Sequence, residues 1–371
     1  PWEPGELFVM TTTGGYVMVN ATVNDHAVRF VLDTGSEGSA LTQEMTTRLG
    51  LGVTGWPSGE LPATDVVHLG VSEPFDLGIW GLRRRSMFEV LHFPGAGFDG
   101  LLGWPLIKRN VFRIAGSKVS ILRAVPSEAS SWLKIRVRSD GRLVLDVSGE
   151  STEMGGVLVD TGARKQLVLS KDEWRRWIAA DPTRPKTLMA YYGPSAGIVV
   201  RQVAWADRIH IGPLTLTDVL VTEADAPESN YRATLGLGAF ERLELIVNER
   251  DGVAHARPVA APASSSPRHN RAGVVFVPAD LKTKEVKAVV LHGGPAWSAG
   301  IRDGDVLLRV NGDHVPDWRV PRPDDHIPWT ERAAGTKLTF TLRRGEREFD
   351  SSVVLRDLVG PGAPRLPLPR E

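Results

Sequence analysis

The residues in this 371-residue chain best suited to chemistry are two short runs, Asp33-Thr34-Gly35-Ser36 and Asp160-Thr161-Gly162-Ala163. Each Asp closes an apolar β-type run, Val28-Arg29-Phe30-Val31-Leu32 in one case and Gly156-Val157-Leu158-Val159 in the other. A strand fixes the carboxylate at its end, the Thr hydroxyl can hydrogen-bond locally, and Gly lets the backbone turn and approach a neighbour. One such tripeptide is often no more than a turn. Two copies, each after an apolar strand, point to a pair. Two carboxylates brought within a few ångströms cannot both ionise cheaply, so they share a proton. The ionised member can then deprotonate a water while the protonated member hydrogen-bonds to the carbonyl oxygen of an amide, with no metal, cofactor or covalent intermediate. Ser36 can donate to its carboxylate and Ala163 cannot, which predicts Asp33 as the more readily ionised member and Asp160 as the proton carrier.

The elements that must position these carboxylates recur in order. Val31 to Gly35 returns as Leu158 to Gly162, and each copy is followed by a Leu, a hydroxyl residue (Thr42, Ser170) and a helical stretch. The capping pattern predicts helices over 43–49 and 171–180. Gly55-Trp56-Pro57-Ser58-Gly59 is echoed by Gly193-Pro194-Ser195-Ala196-Gly197, His68-Leu69-Gly70 by His210-Ile211-Gly212, and Gly100-Leu101-Leu102-Gly103 by Ala233-Thr234-Leu235-Gly236. Four echoes in one order make a duplication, about 14–124 and 131–254. Between them β-branched runs alternate with Gly and Asn-Asp turns, so the chain reads as mostly β.

Composition narrows the alternatives. With 44 Lys plus Arg against 44 Asp plus Glu, the zero net charge offers no counterion-release attraction, so nucleic acid is not an expected partner. No run approaches the roughly 18 apolar residues that span a bilayer. The absence of Cys excludes disulfides, thiolate nucleophiles and sulfur-based zinc sites, and the nine His show no metal-ligand spacing. Gly193 to Gly197 spells the Gly-x-Ser-x-Gly nucleophile elbow, but a strand-like run follows where that elbow needs a helix. Asp324-Asp325-His326 reads as the lead-in to a helix, and the eleven Trp as packing residues.

The paired Asp-Thr-Gly runs, with Leu101-Leu102-Gly103 and Thr234-Leu235-Gly236, resemble the two halves of an aspartic protease, and the half-length resembles the retropepsin-like type, here with both lobes in one chain. The resemblance covers about 14–254. It implies a two-lobed β-barrel pseudo-dimer in which Asp33 and Asp160 form the dyad, Thr34 and Thr161 hydrogen-bond across the lobe interface, and Gly35 and Gly162 permit the turn, with Ser36 in support. It also implies flap hairpins near Trp56 and Ser58 and near Tyr192 and Ser195, polypeptide substrates, no cofactor and a monomer. A periplasmic or secreted location is inferred from that class, and the start at Pro1 suits a mature form.

Residues 272–358 carry a second resemblance. Gly294-Pro295-Ala296-Trp297-Ser298-Ala299-Gly300, Gly304-Asp305 and Val310-Asn311-Gly312 are similar to the bacterial PDZ signature, and the order strand, strand, small helix, strand, helix, strand, strand fits it. Such domains add a peptide to a sheet edge and hold its C-terminal carboxylate on a loop, which by position is Gly273-Val274-Val275-Phe276. The expected organisation is an N-terminal lobe 1–128, a C-terminal lobe 129–257, a linker 258–271, a small β-rich PDZ-like domain with short helices 272–358, and a disordered tail 359–371. The expected function is aspartic endopeptidase. The alternative is a catalytically silent peptide-binding scaffold built on protease lobes.

Overall fold

The computed structural model describes residues 6–13, 15–55, 66–93, 97–139, 141–147, 155–193, 197–224, 231–260, 268–278, 283–315, 317 and 328–365. The fold is mostly strand, with helices as short as Trp104–Ile107 and Pro295–Ser298. Contacts divide the chain into two units, one of residues 1–170, 208–219 and 226–261, the other of 171–207, 220–225 and 262–371.

In the first unit, Tyr16–Val23 folds back on His26–Asp33 through Asn24 and Asp25, whose φ angles of 47° and 66° match a tight hairpin turn. The last residues before Asp33 are buried on both faces, which accounts for the unbroken apolar run, and Gly100–Gly103 runs parallel beside them with Gly103 level with Asp33. Ala40–Thr42 pairs antiparallel on the far side of Gly100–Gly103.

The same set of pairings occurs again further along. Gly156–Asp160 runs parallel to Ala233–Gly236 with Asp160 level with Gly236, and Leu167–Leu169 pairs antiparallel to Ala233–Gly236. Both glycines are required by space. A Cβ on Gly103 would lie 2.1 Å from Gly38 O, and one on Gly236 would lie 2.1 Å from Lys165 O. The next residue in each copy ties to the loop after the Asp: Trp104 N donates to Ser36 O at 3.0 Å and Leu237 N to Ala163 O at 2.7 Å. Val111–Ala115 pairs antiparallel with Leu243–Asn248, joining strands far apart in sequence, and buried Glu244 accepts from Arg113 and Arg257 beside that seam. Phe30, Phe75 and Phe88 meet edge-on in the core.

The first helix spans Gln43–Arg48, where Thr42 Oγ1 accepts from Met45 N at 3.2 Å, and Gly50 follows in a left-handed conformation at φ 65°. The second, in the other unit, spans Lys171–Ala179.

That second unit holds a hairpin in which residues 186–193 pair with residues 197–204. It also holds a sheet of Val274–Pro278, Val286–Val290, Val306–Val310, Lys337–Arg344 and Arg347–Val354 around Leu338, Phe340 and Leu342. Two sequence expectations change here. Part of the 258–271 segment expected as a linker is structured: Pro258 ends a paired strand, and His269 and Asn270 are buried. Composition could not show that one Asn side chain would bond four backbone groups. Its Nδ2 donates to Leu188 O and Val274 O, and its Oδ1 accepts from Ala272 N and Gly273 N. Residues 359–365, expected within a disordered tail, are also held: Val359 is buried and Arg365 bonds Asp181 at 2.7 Å. Among the described residues of the expected second helix of this module there is only the 3₁₀ turn Trp329–Glu331, and Asp324-Asp325-His326 lies outside the described residues.

Gly236→Ala is expected to lower the unfolding free energy by about 1–3 kcal/mol in urea denaturation, since the added methyl meets backbone. Gly97→Ala, with nothing within 4 Å of its Cβ position, is expected to stay within about 0.5 kcal/mol of wild type.

Candidate active site

Asp33 and Asp160, 127 residues apart in sequence, end their strands facing one another, and their carboxyl groups hydrogen-bond. Four bonds between the threonines and the opposing strands hold them there. Thr34 Oγ1 donates to Val159 O at 2.6 Å, and Thr161 Oγ1 donates to Leu32 O at 2.6 Å. Each hydroxyl also accepts, Thr34 Oγ1 from Thr161 N and Thr161 Oγ1 from Thr34 N, both at 3.1 Å. Thr34 and Thr161 are 1% and 0% exposed, so these bonds are shielded from water.

The glycines set how close the carboxylates come. A Cβ on Gly35 would lie 2.6 Å from Asp160 Cγ, and one on Gly162 would lie 2.8 Å from Asp33 Cγ. Each carboxyl group rests in the space left by the other loop's missing side chain. Gly35 N donates to Asp33 Oδ1 at 3.0 Å, and Gly162 N to Asp160 Oδ1 at 2.9 Å.

The predicted division of labour within the pair is corrected. Ser36 Oγ donates to Gly38 O at 2.9 Å rather than to a carboxylate, because the loop curls back on itself and captures the hydroxyl. Asp160 has the stronger support for negative charge. Its Oδ1 also accepts from Ala163 N at 3.0 Å, and the Arg142 guanidinium adds favourable charge. Asp33 has the Gly35 N–H and a lesser contribution from the Ser36 N–H. Burial, then repulsion by Asp160, pushes Asp33 from an ordinary 3.8 up to about 7. Burial raises Asp160 too, against the opposing pull of its donors. The donor count thus favours the negative charge on Asp160 and the shared proton on Asp33.

Sequence reasoning singled out neither Arg142 nor Ser39, whose Oγ accepts from Gly103 N at 3.0 Å. Extending the repeat upstream would have aligned Gly141-Arg142 with Gly15-Tyr16. Of the flap candidates, Trp56, Ser58 and Ser195 lie outside the described residues. Tyr192 has a described backbone only, paired with Ile198, and Gly193 pairs with Gly197. Paired strands before 194 and after 196 do not fit a nucleophile elbow, which needs a helix after its Ser. At the expected carboxylate loop, Ala272 N and Gly273 N are occupied by Asn270 Oδ1, and the Val274 side chain is buried in its own core. Phe276 packs against that core, while Val275 packs against Leu188, Leu291 and Leu358.

No group of three or more His, Asp and Glu suited to a metal occurs among the described residues, and no helix among them is long and apolar enough to cross a membrane. A family model described as aspartyl protease matches residues 19–106, a span containing Asp33 to Ser36 and Gly100 to Gly103. No curated protein matches the chain.

Thr161→Val removes a hydroxyl that satisfies buried Leu32 O and Thr34 N, and it is expected to cost about 1–3 kcal/mol for each group left unpaired, read by urea denaturation. A folded-state Asp33 value near 7 against 3.8 when unfolded means the native state holds the proton longer. Stability should thus fall as pH rises through that window and level off above it. Thermal denaturation across the range should show this slope in wild type and in Ser36→Ala, and a much weaker one in Asp33→Asn.

Proposed function

We propose that this chain is an aspartic endopeptidase whose two lobes, carried by one polypeptide, each contribute one carboxylate. The carrying observation is the facing Asp33–Asp160 pair, held by the reciprocal bonds of Thr34 and Thr161 and admitted by the absent side chains of Gly35 and Gly162. The match of residues 19–106 to an aspartyl protease family supports peptide hydrolysis as the reaction class.

In the proposed mechanism a water lies against both carboxyl groups and an extended polypeptide crosses them. Asp160 carboxylate takes a proton from the water as its oxygen attacks the scissile carbonyl carbon. Asp33 donates its proton to the carbonyl oxygen, giving a neutral gem-diol. Asp160 then passes the proton it took to the amide nitrogen while Asp33 takes one from a gem-diol hydroxyl, the C–N bond breaks, and a carboxylic acid and an amine leave with Asp33 again protonated and Asp160 ionised. A silent scaffold has no use for a buried carboxyl pair that costs desolvation energy, which is the ground for preferring the enzyme.

The C-terminal module is proposed as PDZ-like in fold. Its role rests on Asn270, whose Oδ1 accepts from Gly273 N at the start of the 273–276 loop and from Ala272 N just before it, and whose Nδ2 donates to Leu188 O in the hairpin. The module thus braces residues 186–193 instead of capturing free C-termini at 273–276. Polypeptide is the proposed partner, acting as a monomer outside the cytoplasm.

Asp160→Asn and Asp33→Asn should each lower kcat/KM on unfolded protein or a peptide mixture by at least about a hundredfold. Wild-type activity should decline as pH rises past about 7, where Asp33 loses its proton. Cleavage by both variants at the wild-type rate would overturn the reading.

A further inference from the structure

The residue following each Asp-Thr-Gly-x run is charged, and the charges are opposite: Glu37 after the first, Arg164 after the second. Both are exposed and stand four residues beyond their carboxylates in sequence, one on the loop after each. Each is met by a residue that follows a glycine in the other half of the duplication. Arg142 Nε lies 3.2 Å from Glu37 Oε1, and a Cβ on Gly141 would come within 3.4 Å of Glu37 Cγ. Arg164 Cζ sits 4.2 Å from the Tyr16 ring centroid, and a Cβ on Gly15 would come within 2.9 Å of Arg164 Nε.

The two crossed contacts are equivalent in position and unlike in charge. On one side the carboxylate of Glu37 is compensated by Arg142. On the other a guanidinium lies on an aromatic face, and among the described residues no carboxylate pairs with Arg164. The face is itself buttressed, since Tyr16 meets Phe98 edge-on at 6.0 Å and Phe98 meets Phe93 at 5.2 Å. Stacking on an aromatic ring orients a guanidinium while leaving its N–H donors available in the ring plane. A carboxylate is the ligand that complements that fork.

At the dyad itself, the near-symmetry would accept an extended peptide in either chain direction. The unlike flanks remove that equivalence. Resting on the endopeptidase reading, we propose that Arg164, stacked on Tyr16, is a specificity-determining residue that selects substrates carrying an Asp or Glu side chain on its side of the scissile bond, and so fixes the direction in which the chain lies.

The test uses the full chain and one cleavable peptide into which Glu, Gln or Lys is placed singly at each position flanking the cut. A largely exposed ion pair is worth up to about 1 kcal/mol, or about fivefold in kcat/KM. Wild type should prefer Glu over Lys by about that factor on one side of the cut only, and the preference should weaken with added salt. Arg164→Glu should reverse it at the same position, and Arg164→Gln should erase it, each rate being normalised to a neutral peptide that also reports a folded site. An unchanged preference in Arg164→Glu, or an equal preference on both sides in wild type, overturns the inference while leaving the protease reading intact. Failure of wild type to cleave any peptide, or cleavage by both Asp33→Asn and Asp160→Asn at the wild-type rate, removes the protease reading and this one with it.

Discussion

Burying a carboxyl group is costly unless its charge is met, and this site half-buries two of them against each other. Everything around them answers that constraint. The threonine hydroxyls bond across the pair and hold the strand ends together, and the glycines leave out side-chain atoms that would meet the opposing carboxyl groups. The proton that results is a consequence of packing: a carboxylate with fewer donors, in a water-poor setting beside a like charge, keeps its hydrogen well into the neutral range.

The backbone carries more of this arrangement than the side chains do. Gly103 and Gly236 are the last residues of strands that run parallel to the Asp-bearing strands, and both are pressed against carbonyl oxygens of the loops that follow the carboxylates. Through Trp104 N and Leu237 N those loops are then tied down by the residue just beyond. A conformational change at either loop would need to break a buried strand end, which is why the site can be rigid although its residues sit at turns.

Much of this was legible in the sequence. The Asp-Thr-Gly runs, the Leu-Leu-Gly and Thr-Leu-Gly strands, and the Thr42 cap with Gly50 behind it are local patterns whose physical demands are met within a few residues. What was not legible depended on long-range partners. The fate of the Ser36 hydroxyl turned on whether the loop curls toward Gly38 O or toward its own carboxylate, and only the folded loop decides that. Arg142 acts on Asp160 from a hairpin 18 residues earlier, where no motif marks it. Asn270 sits in a Pro- and Ser-rich stretch that reads as linker, yet its single carboxamide has four backbone partners. Composition averages over such a residue.

Thr34 and Thr161 belong to the same polypeptide, so the bonds between them form by closing a loop of fixed length. When a site's halves reside on separate chains, its occupancy rises and falls with protein concentration. Here the partner's effective concentration is built into the covalent chain and does not change on dilution. Joining the halves also frees each to diverge, and the unlike contacts of Arg142 with Glu37 and of Tyr16 with Arg164 are differences that no pair of identical subunits could carry.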